Sequence, residues 1–395
     1  HRDLHSFPTR RSSDLKVTAS TSVPVNKSSG PDGIHMKILK GICASIAKPL
    51  CMLYNMSLND CVFPTCWKLG NVTPIFKKGE RSLPINYRPI SLLSVFGKIF
   101  EKIMLKHLHN HFHKHSILSK FQSGFIANHS TTSQLIDMYH DICSALEDHQ
   151  LYCMVFCDIS KAFDRVWHKG LLYKLENYGV RGHVLSWLSN YLTDRRQRVC
   201  VNGILSNELS VNAGVPQGSV LGPFLFLVYI NDLPHKLQNT TRLFADDASI
   251  GAAGKDVNSI EATLNDDLIQ LNKWAENWLV KFNPSKTKFM IFSHAKCPSV
   301  PRLLFNNQQL ERVHHHKHLG VIFSDNTKWS EHINSVTEKA SKLVSSLRAL
   351  KYLLPKNILS LMYEMYIRPI LEYASEVWDN CPGILCDKLR SEERR

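Results

Sequence analysis

The sequence predicts an α+β protein built as two or three lobes, and three observations carry that expectation. The chain has 395 residues, enough to bury a sizeable core but too many for one compact unit. Short apolar runs of strand length end at acids, as in Leu151–Asp158 and in the stretch Arg242–Ile250 that contains Asp246 and Asp247. Between them lie amphipathic helical patterns, such as 260–278 and 329–350.

Composition narrows the function classes. Hydrophobic residues make up 44% of the chain, which describes a globular protein. The net charge of +14, from 48 Lys and Arg against 34 Asp and Glu, favours a polyanionic partner, nucleic acid before a membrane surface. No apolar run approaches the ~18 residues that a membrane span needs, and no hydrophobic signal core opens the chain. The 11 cysteines are odd in number, scattered and without CxxC pairs, so they read as reduced thiols in a cytoplasmic or nuclear protein.

In chain order, residues 1–20 are polar, basic and aperiodic, and an unstructured or artefactual leader is expected there. Ser28–Gly33 is a turn-rich opening before a helical pattern carrying Ile34, Ile38, Leu39 and Ile42. Asn71–Gly79 reads as a strand ending in Lys77 and Lys78, and Asn86–Ser91 leads into a helix over about 95–109. Lys77, Lys78 and Arg88 suit a phosphate grip, the Arg as planar fork and the Lys as point charges, or simply a basic strand end. Histidine occupies every second position from His107 to His115, with metal-compatible i,i+4 pairs but no acid or thiol among them, so a polar helix end is the plainer reading.

A turn at Phe121–Phe125 precedes a helix over about 130–146, capped by Ser130 or Thr131. Leu151–Asp158 is a buried strand ending in an acid, which is costly unless a cation or hydrogen bonds satisfy it. Asp158 is therefore a better metal candidate than Asp164, which can stay solvated at a helix start. Two short helices fill 170–193, and Asp194–Arg198 reads as a basic turn able to touch a nucleic-acid backbone or to stay solvated. Ala213–Pro223 holds three glycines and two prolines before an apolar helix; it lacks the Lys of a P-loop. Asp246 and Asp247 fall at the turn of a hairpin. Adjacent carboxylates repel, so they suit a hard divalent ion such as Mg²⁺, or else a solvated turn. Phe282–Phe292 is a turn with Lys286 and Lys288 feeding a strand, His318–Phe323 is another strand, and a helix with a basic face runs from about 329 to 350.

Carboxylates from separate strands can hold two metal ions about 4 Å apart for in-line phosphoryl transfer. No Ser/His/Asp or Cys/His grouping has comparable support. In that light the ordered motifs SSGPDG, PIFKKG…NYRPIS, FQSGF…ST, FCDISKAFDRVWH, GVPQGSVLGPFLF, FADD, NPSKTKFMIF and HLGVIF, spanning 28 to about 380, resemble the reverse transcriptase domain of non-LTR (LINE-type) retrotransposons, near the jockey and CR1-like groups.

The resemblance implies a right hand of fingers, palm and thumb, with an antiparallel palm sheet backed by helices. It assigns 21–150 to the fingers and an N-terminal extension, 151–323 to the palm with interleaved fingers elements and primer grip, 324–380 to the thumb and 381–395 to an unstructured or artefactual tail. It implies Asp158, Asp246 and Asp247 as catalytic ligands of two Mg²⁺ ions, for which Mn²⁺ can substitute, with Ile159 adding its backbone carbonyl. Lys77, Lys78 and Arg88 would contact the dNTP triphosphate, Phe163 would exclude a 2′-hydroxyl, and Pro216, Gln217 and Gly218 would line the nascent base pair. Lys286 would protonate departing pyrophosphate. His318, Leu319, Gly320 and Val321 would form the primer grip. The implied partners are an RNA template, a DNA primer and dNTPs, with no membrane; the implied location is cytoplasmic and nuclear.

Two departures stand out. Ile126 occupies a position where many relatives carry arginine, leaving Arg88 as the main triphosphate arginine. The endonuclease expected upstream is not in this sequence, so a fragment is expected. Two other activities compete: an inactive element remnant that only binds nucleic acid, and an RNA-templated RNA polymerase, which Phe163 disfavours.

Overall fold

The computed structural model describes residues 28–295 and 299–394, so the leader expected over 1–20 lies outside the described residues. Its strands in chain order are β1 (Leu69–Phe76), β2 (Tyr87–Leu92), β3 (Leu151–Asp158), β4 (Arg195–Val201), β5 (Ile204–Leu205), β6 (Leu209–Val211), β7 (Thr240–Phe244), β8 (Asp247–Gly254), β9 (Lys288–Phe292), β10 (Leu304–Phe305), β11 (Gln308–Gln309), β12 (Glu311–Arg312), β13 (His315–His318) and β14 (Val321–Ser324). Two compact units form. One takes the chain up to Phe125 with Ser160–Leu233 and Trp274–Lys281; the other takes Ile126–Ile159, Pro234–Lys273 and the chain from Phe282 onward.

The first unit is held by an aromatic core. Helices Cys43–Asn59, Val95–Lys114 and Gly182–Leu192 bring together Tyr54, Phe63, Phe100, Trp187 and Tyr191. Tyr54 stacks on Phe100 with ring centroids 4.3 Å apart, and Phe63 meets Tyr191 edge-on at 5.1 Å. Trp187 places its polar edge by donating from Nε1 to Ser57 Oγ at 3.1 Å. The helix from Val95 runs to Lys114 rather than stopping near 109. His111 near its end is buried and bonds the Tyr178 carbonyl through Nε2 at 2.9 Å, which makes it a packing residue.

Beside this core, β1 pairs antiparallel with β2 and parallel with β4, and β4 also pairs with β5 and β6. The sequence reading missed β2 because Pro89 interrupts it. Pro89 lies opposite Pro74, so neither residue donates a ladder bond, an arrangement tolerated at a sheet edge. The expected basic turn at 194–198 is likewise a strand. Only Asp194 turns, with φ +56, and strand alternation sends Arg195 inward, where it donates to the Tyr191 carbonyl at 3.0 Å. Arg198 donates to Asn71 and Arg196 pairs with Glu208, so this run is committed within its unit.

In the second unit five strands form a sheet in the order β12-β9-β3-β8-β7. β3 is central, and the apolar run noticed in the sequence is buried along almost its whole length. The pairs β3–β8, β3–β9 and β7–β8 are antiparallel, but β12 runs parallel to β9, so the expected antiparallel sheet is mixed at this edge. The parallel pairing arises because the chain reverses through the β10–β11 hairpin before reaching Glu311. Helix Thr131–Glu147 begins at Ser130, whose hydroxyl and that of Ser133 close a capping box. Its Leu135, Met138 and Ile142 share a core with Met154, Phe156, Met290, Phe292, Val321, Phe323, Trp329 and Ile333.

Two further expectations change here. His318–Phe323 is not one strand but part of the β13–β14 hairpin, turning at Leu319 and Gly320 with φ +44 and +95. An X-Gly turn with two positive φ values is the primed hairpin turn, which the run of histidines before it disguises in the sequence. The tail expected to lack structure from 381 contains a helix, Gly383–Arg394, whose Leu385 and Leu389 recur at i,i+4 and pack on the core. Among the described residues no helix is long and apolar enough to cross a membrane.

The β13–β14 region carries three imidazoles that the fold keeps neutral. Burial pushes His318 down to about 3, His316 to about 4 and His332 to about 4, with Lys288 adding to the shift of His316 and Lys339 and Lys317 to that of His332. His332 Nδ1 accepts the Ile322 N–H at 3.3 Å, which requires that nitrogen to be unprotonated. Because these folded values lie below the ordinary 6.5, the unfolded chain binds more protons between pH 6.5 and about 4, and stability falls as pH falls through that window. We expect the unfolding free energy of this unit, read from urea titration, to fall from pH 7 to pH 5, by up to about 1.4 kcal/mol per pH unit per histidine. A His332→Asn variant should show a shallower slope, read by denaturant titration at several pH values.

Candidate active site

The acids named from sequence meet at one end of the five-stranded sheet. Asp158 ends β3 and Asp247 begins β8, and the register pairs them directly. Asp247 also pairs with Phe244 of β7, leaving Ala245–Asp246 as a two-residue hairpin turn. Directly opposed residues on antiparallel strands have Cβ atoms about 5 Å apart on one face, and like charges there destabilise the sheet. Asp246 and Asp247 are exposed, and the Asp158 side chain is 41% exposed, so this end of a buried strand opens to solvent. Ala245 adopts φ +54 while buried, a conformation that costs a non-glycine residue energy and tightens the turn.

Asp158 is supported from the segment that leads into β9. Its carbonyl accepts the Asn283 N–H at 2.9 Å, and Ile159 bridges antiparallel to Phe282. The carbonyl of Asn283 accepts the N–H groups of Lys286 at 3.1 Å and Thr287 at 2.9 Å, and its Oδ1 accepts the Ser285 hydroxyl at 2.7 Å. This closed turn presents Lys286, whose Nζ lies 3.6 Å from Asp158 Oδ2. Both side chains are well solvated, so the pair is a weak electrostatic contact that positions an ammonium at the carboxylate.

Sequence reasoning missed the residues that aim the hairpin. Asp267 is completely buried and accepts the N–H groups of Gln238 at 2.7 Å and Asn239 at 3.0 Å, fixing the entry to β7. Arg242 of β7 is tied to Asp141 on helix Thr131–Glu147. Asp266 and Asp267 form a second adjacent acid pair; the available signal was that Asp267 falls between Leu264, Leu268 and Leu271 on the apolar face of its helix.

The first unit holds the remaining candidates. Lys77 follows β1, its N–H donates to the Asn86 carbonyl at 2.8 Å, and Arg88 lies opposite Ile75, so Lys77 and Arg88 project on one face. Lys77, Lys78 and Arg88 are all exposed. Phe163 stacks on Phe226 at 4.7 Å and meets Phe125 edge-on at 6.2 Å, which fixes its ring. Gln217 donates from Nε2 to Asp164 Oδ1 at 2.9 Å, and its carbonyl accepts the Ser91 N–H at 2.7 Å. Pro216 and Gly218 flank it, with Gly218 at φ +131 against the Ser91 carbonyl. The loop is anchored by Glu101, a fully buried acid that accepts the Val220 and Leu221 N–H groups at 2.5 and 3.1 Å. Burial raises the Glu101 carboxyl, opposed by Arg195 and those two amides. Glu101 was also missed; an acid in the stripe Gly97, Glu101, Met104, Leu108 was the clue.

The primer-grip candidates divide. His318 and Val321 point into the core of the second unit, where His318 lies 5.3 Å from the Phe156 ring, while Leu319 is half-buried against that core and Gly320 is exposed at the turn. The donor set at Asp158, Asp246 and Asp247 fits a hard divalent cation in kind, since a bridging cation would relieve the opposed Asp158–Asp247 pair. Among the described residues, however, no group of three or more His, Cys, Asp or Glu side chains is already arranged around a point that would hold an ion. Ile159 is compatible with a carbonyl ligand: its bridge to Phe282 is made through the flanking Asp158–Asn283 bond, which leaves the Ile159 carbonyl out of that bond.

Residues 75–323 match the family described as reverse transcriptase (RNA-dependent DNA polymerase). The chain is 30% identical over 382 residues to the RNA-directed DNA polymerase from mobile element jockey of Drosophila melanogaster, covering 93% of the chain and 41% of that protein. It is 32% identical over 383 residues to the probable RNA-directed DNA polymerase from transposon BS of the same organism, with 92% and 41% covered. The corresponding protein from transposon X-element is 30% identical over 373 residues, with 92% and 40% covered. The chain thus spans about two fifths of the length of these relatives.

The Gly218 loop offers a direct check on how tightly the first unit is built. An added Cβ would run into the Ser91 carbonyl oxygen at a φ that side chains avoid. Gly218→Ala should therefore destabilise this unit by about 2–4 kcal/mol, measured by thermal or urea unfolding, whereas Gly203→Ala should cost less because its Cβ would meet nothing within 4 Å.

Proposed function

The chain belongs to the reverse transcriptase (RNA-dependent DNA polymerase) family, in its non-LTR retrotransposon branch, and from that premise we propose that it is an RNA-directed DNA polymerase extending a DNA primer on an RNA template. The observation that carries this reading is the register of Asp158 against Asp247 with Asp246 in the adjoining turn. In the reaction the primer 3′-hydroxyl releases its proton to solvent as its oxygen bonds to the α-phosphorus of a dNTP, the α–β phosphoanhydride bond breaks, and pyrophosphate departs with the electron pair.

Asp158, Asp246 and Asp247, with the Ile159 carbonyl, would hold divalent cations. When bound there, Mg²⁺ lowers the pKa of the attacking hydroxyl and steadies the charge that builds on the phosphates. Lys286 supplies a proton from Nζ to the leaving pyrophosphate; its place beside Asp158 supports that role. Lys77, Lys78 and Arg88 bind the triphosphate, the guanidinium engaging two oxygens at once. Phe163, held by Phe226, leaves no room for a 2′-hydroxyl and so favours dNTPs over rNTPs. Pro216, Gln217 and Gly218 border the new base pair, and the Leu319–Gly320 tip seats the primer strand.

Under this reading 21–150 act as fingers with an N-terminal extension, 151–323 as palm and 324–380 as thumb, and nucleic acid is the partner that the +14 net charge serves.

Primer extension on an RNA template with dNTPs and Mg²⁺ tests the proposal. The unaltered protein should incorporate dNTPs, and Asp246→Asn/Asp247→Asn should lose at least about a thousandfold in rate while keeping salt-sensitive RNA binding. Equal extension by both proteins would remove these acids from the chemistry. RNA binding without any incorporation by the unaltered protein would instead favour a binding-only remnant. Separately, Phe163→Val should admit rNTPs, lowering the dNTP-to-rNTP ratio of kcat/KM by about tenfold or more, with dNTP use largely kept.

A further inference from the structure

The tip of the β13–β14 hairpin consists of two residues in unusual conformations, Leu319 half-buried against the core and Gly320 exposed. Leu319 sits at φ +44 and Gly320 at φ +95, closed by the pair His318–Val321. A leucine in the left-handed region crowds its own backbone, so this turn would relax if nothing held it. His318 and Val321 are buried, so whatever the tip offers a ligand is chiefly backbone and depends on that conformation.

One side chain reaches the tip from far along the sequence. Tyr373 Oη donates to the Leu319 carbonyl at 2.7 Å and lies 2.8 Å from Thr131 Oγ1. A phenol has one hydrogen, so Thr131 must donate in the second bond. The Tyr373 ring also covers Gly320, where an added Cβ would come within 2.7 Å of its Cε1. Gly320 is therefore required twice, by its φ and by the ring.

Both anchors of Tyr373 are rigid. On its own chain it falls between helices Arg368–Glu372 and Ser375–Trp378, just before Ala374 at φ +53. Its carbonyl accepts the Trp378 indole N–H at 3.2 Å, and Ala374, Val377 and Trp378 are buried in the core. On the other side, Thr131 is the first residue of the helix capped by Ser130. The hydroxyl lies at the surface, where water would satisfy it equally well. Its two bonds to the protein therefore act as a restraint on geometry rather than a remedy for burial.

We propose that Tyr373 is a positioning residue that locks the Leu319–Gly320 turn in its primed conformation, so that the tip can seat the primer strand. The use for primer rests on the polymerase reading above; the lock itself does not.

Tyr373→Phe keeps the ring and removes both hydroxyl bonds, so the fold should survive. Amide hydrogen exchange should quicken by about fivefold or more at residues 319–321 and stay unchanged in β3 and β8. In primer extension the same variant should raise KM for primer–template about fivefold or more, with kcat at saturating primer within about twofold and KM for dNTP unaltered. Unchanged exchange at the tip would overturn the lock. Faster exchange with an unchanged primer KM, or with loss confined to kcat, would overturn its use for primer. If the unaltered protein extends no primer at all, the polymerase reading and the primer role fail together, while the exchange comparison still decides the lock.

Discussion

One constraint organises the second unit: the β3–β8 register sets Asp158 directly against Asp247 at the open end of an otherwise buried sheet. Two carboxylates facing each other across a ladder destabilise it, and the strand end is held in place by everything around it. The buried run of β3 sets how far the strand extends, since Tyr152–Cys157 are all in the core and Asp158, directly after them, is half-exposed. The hairpin is only two residues long, so Asp246 stays next to Asp247 with no slack. Asn283 holds the Asp158 carbonyl, and Asp267 holds the amides that lead into β7. The like-charge pair is a local cost carried by a rigid frame.

The first unit follows the same logic with different parts. Buried polar residues brace its Gln217 loop and its strand β4. Glu101 holds the amides just beyond Gln217, and Arg195 occupies the carbonyl end of helix Gly182–Leu192. Lys174, fully enclosed, bonds Asp232 and the Tyr229 carbonyl while its ammonium faces the Trp278 ring at 3.7 Å. Burial pulls that ammonium down to about 8, opposed by Asp232. Such groups are retained because removing one partner would strand the other in a low-dielectric interior.

Four histidines of this chain, His111, His168, His318 and His332, are buried packing residues. His111 and His168 each bond a carbonyl, and His316 stacks on Phe156 at 3.9 Å. For His316 and His318 the neutral state follows from burial rather than from ligation.

Much was legible in the sequence by itself. Asp158 at a buried strand end, Asp246–Asp247 in a hairpin turn, the capped helix after Ser130 and the family membership all follow from local pattern, turn chemistry and motif order. What tertiary structure decided were the pairings that local pattern does not encode. β2 was hidden by Pro89, the His318–Phe323 run folds back at Leu319–Gly320, β12 runs parallel to its neighbour, and the tail carries a helix because its leucines have a core to cover. Likewise Glu101, Asp267 and Tyr373 draw their importance from partners 29 to 120 positions away, at Gln238, Leu221 and Leu319. A residue's type announces that it needs a hydrogen-bond partner or an apolar neighbour; only the folded chain determines which distant group meets that need.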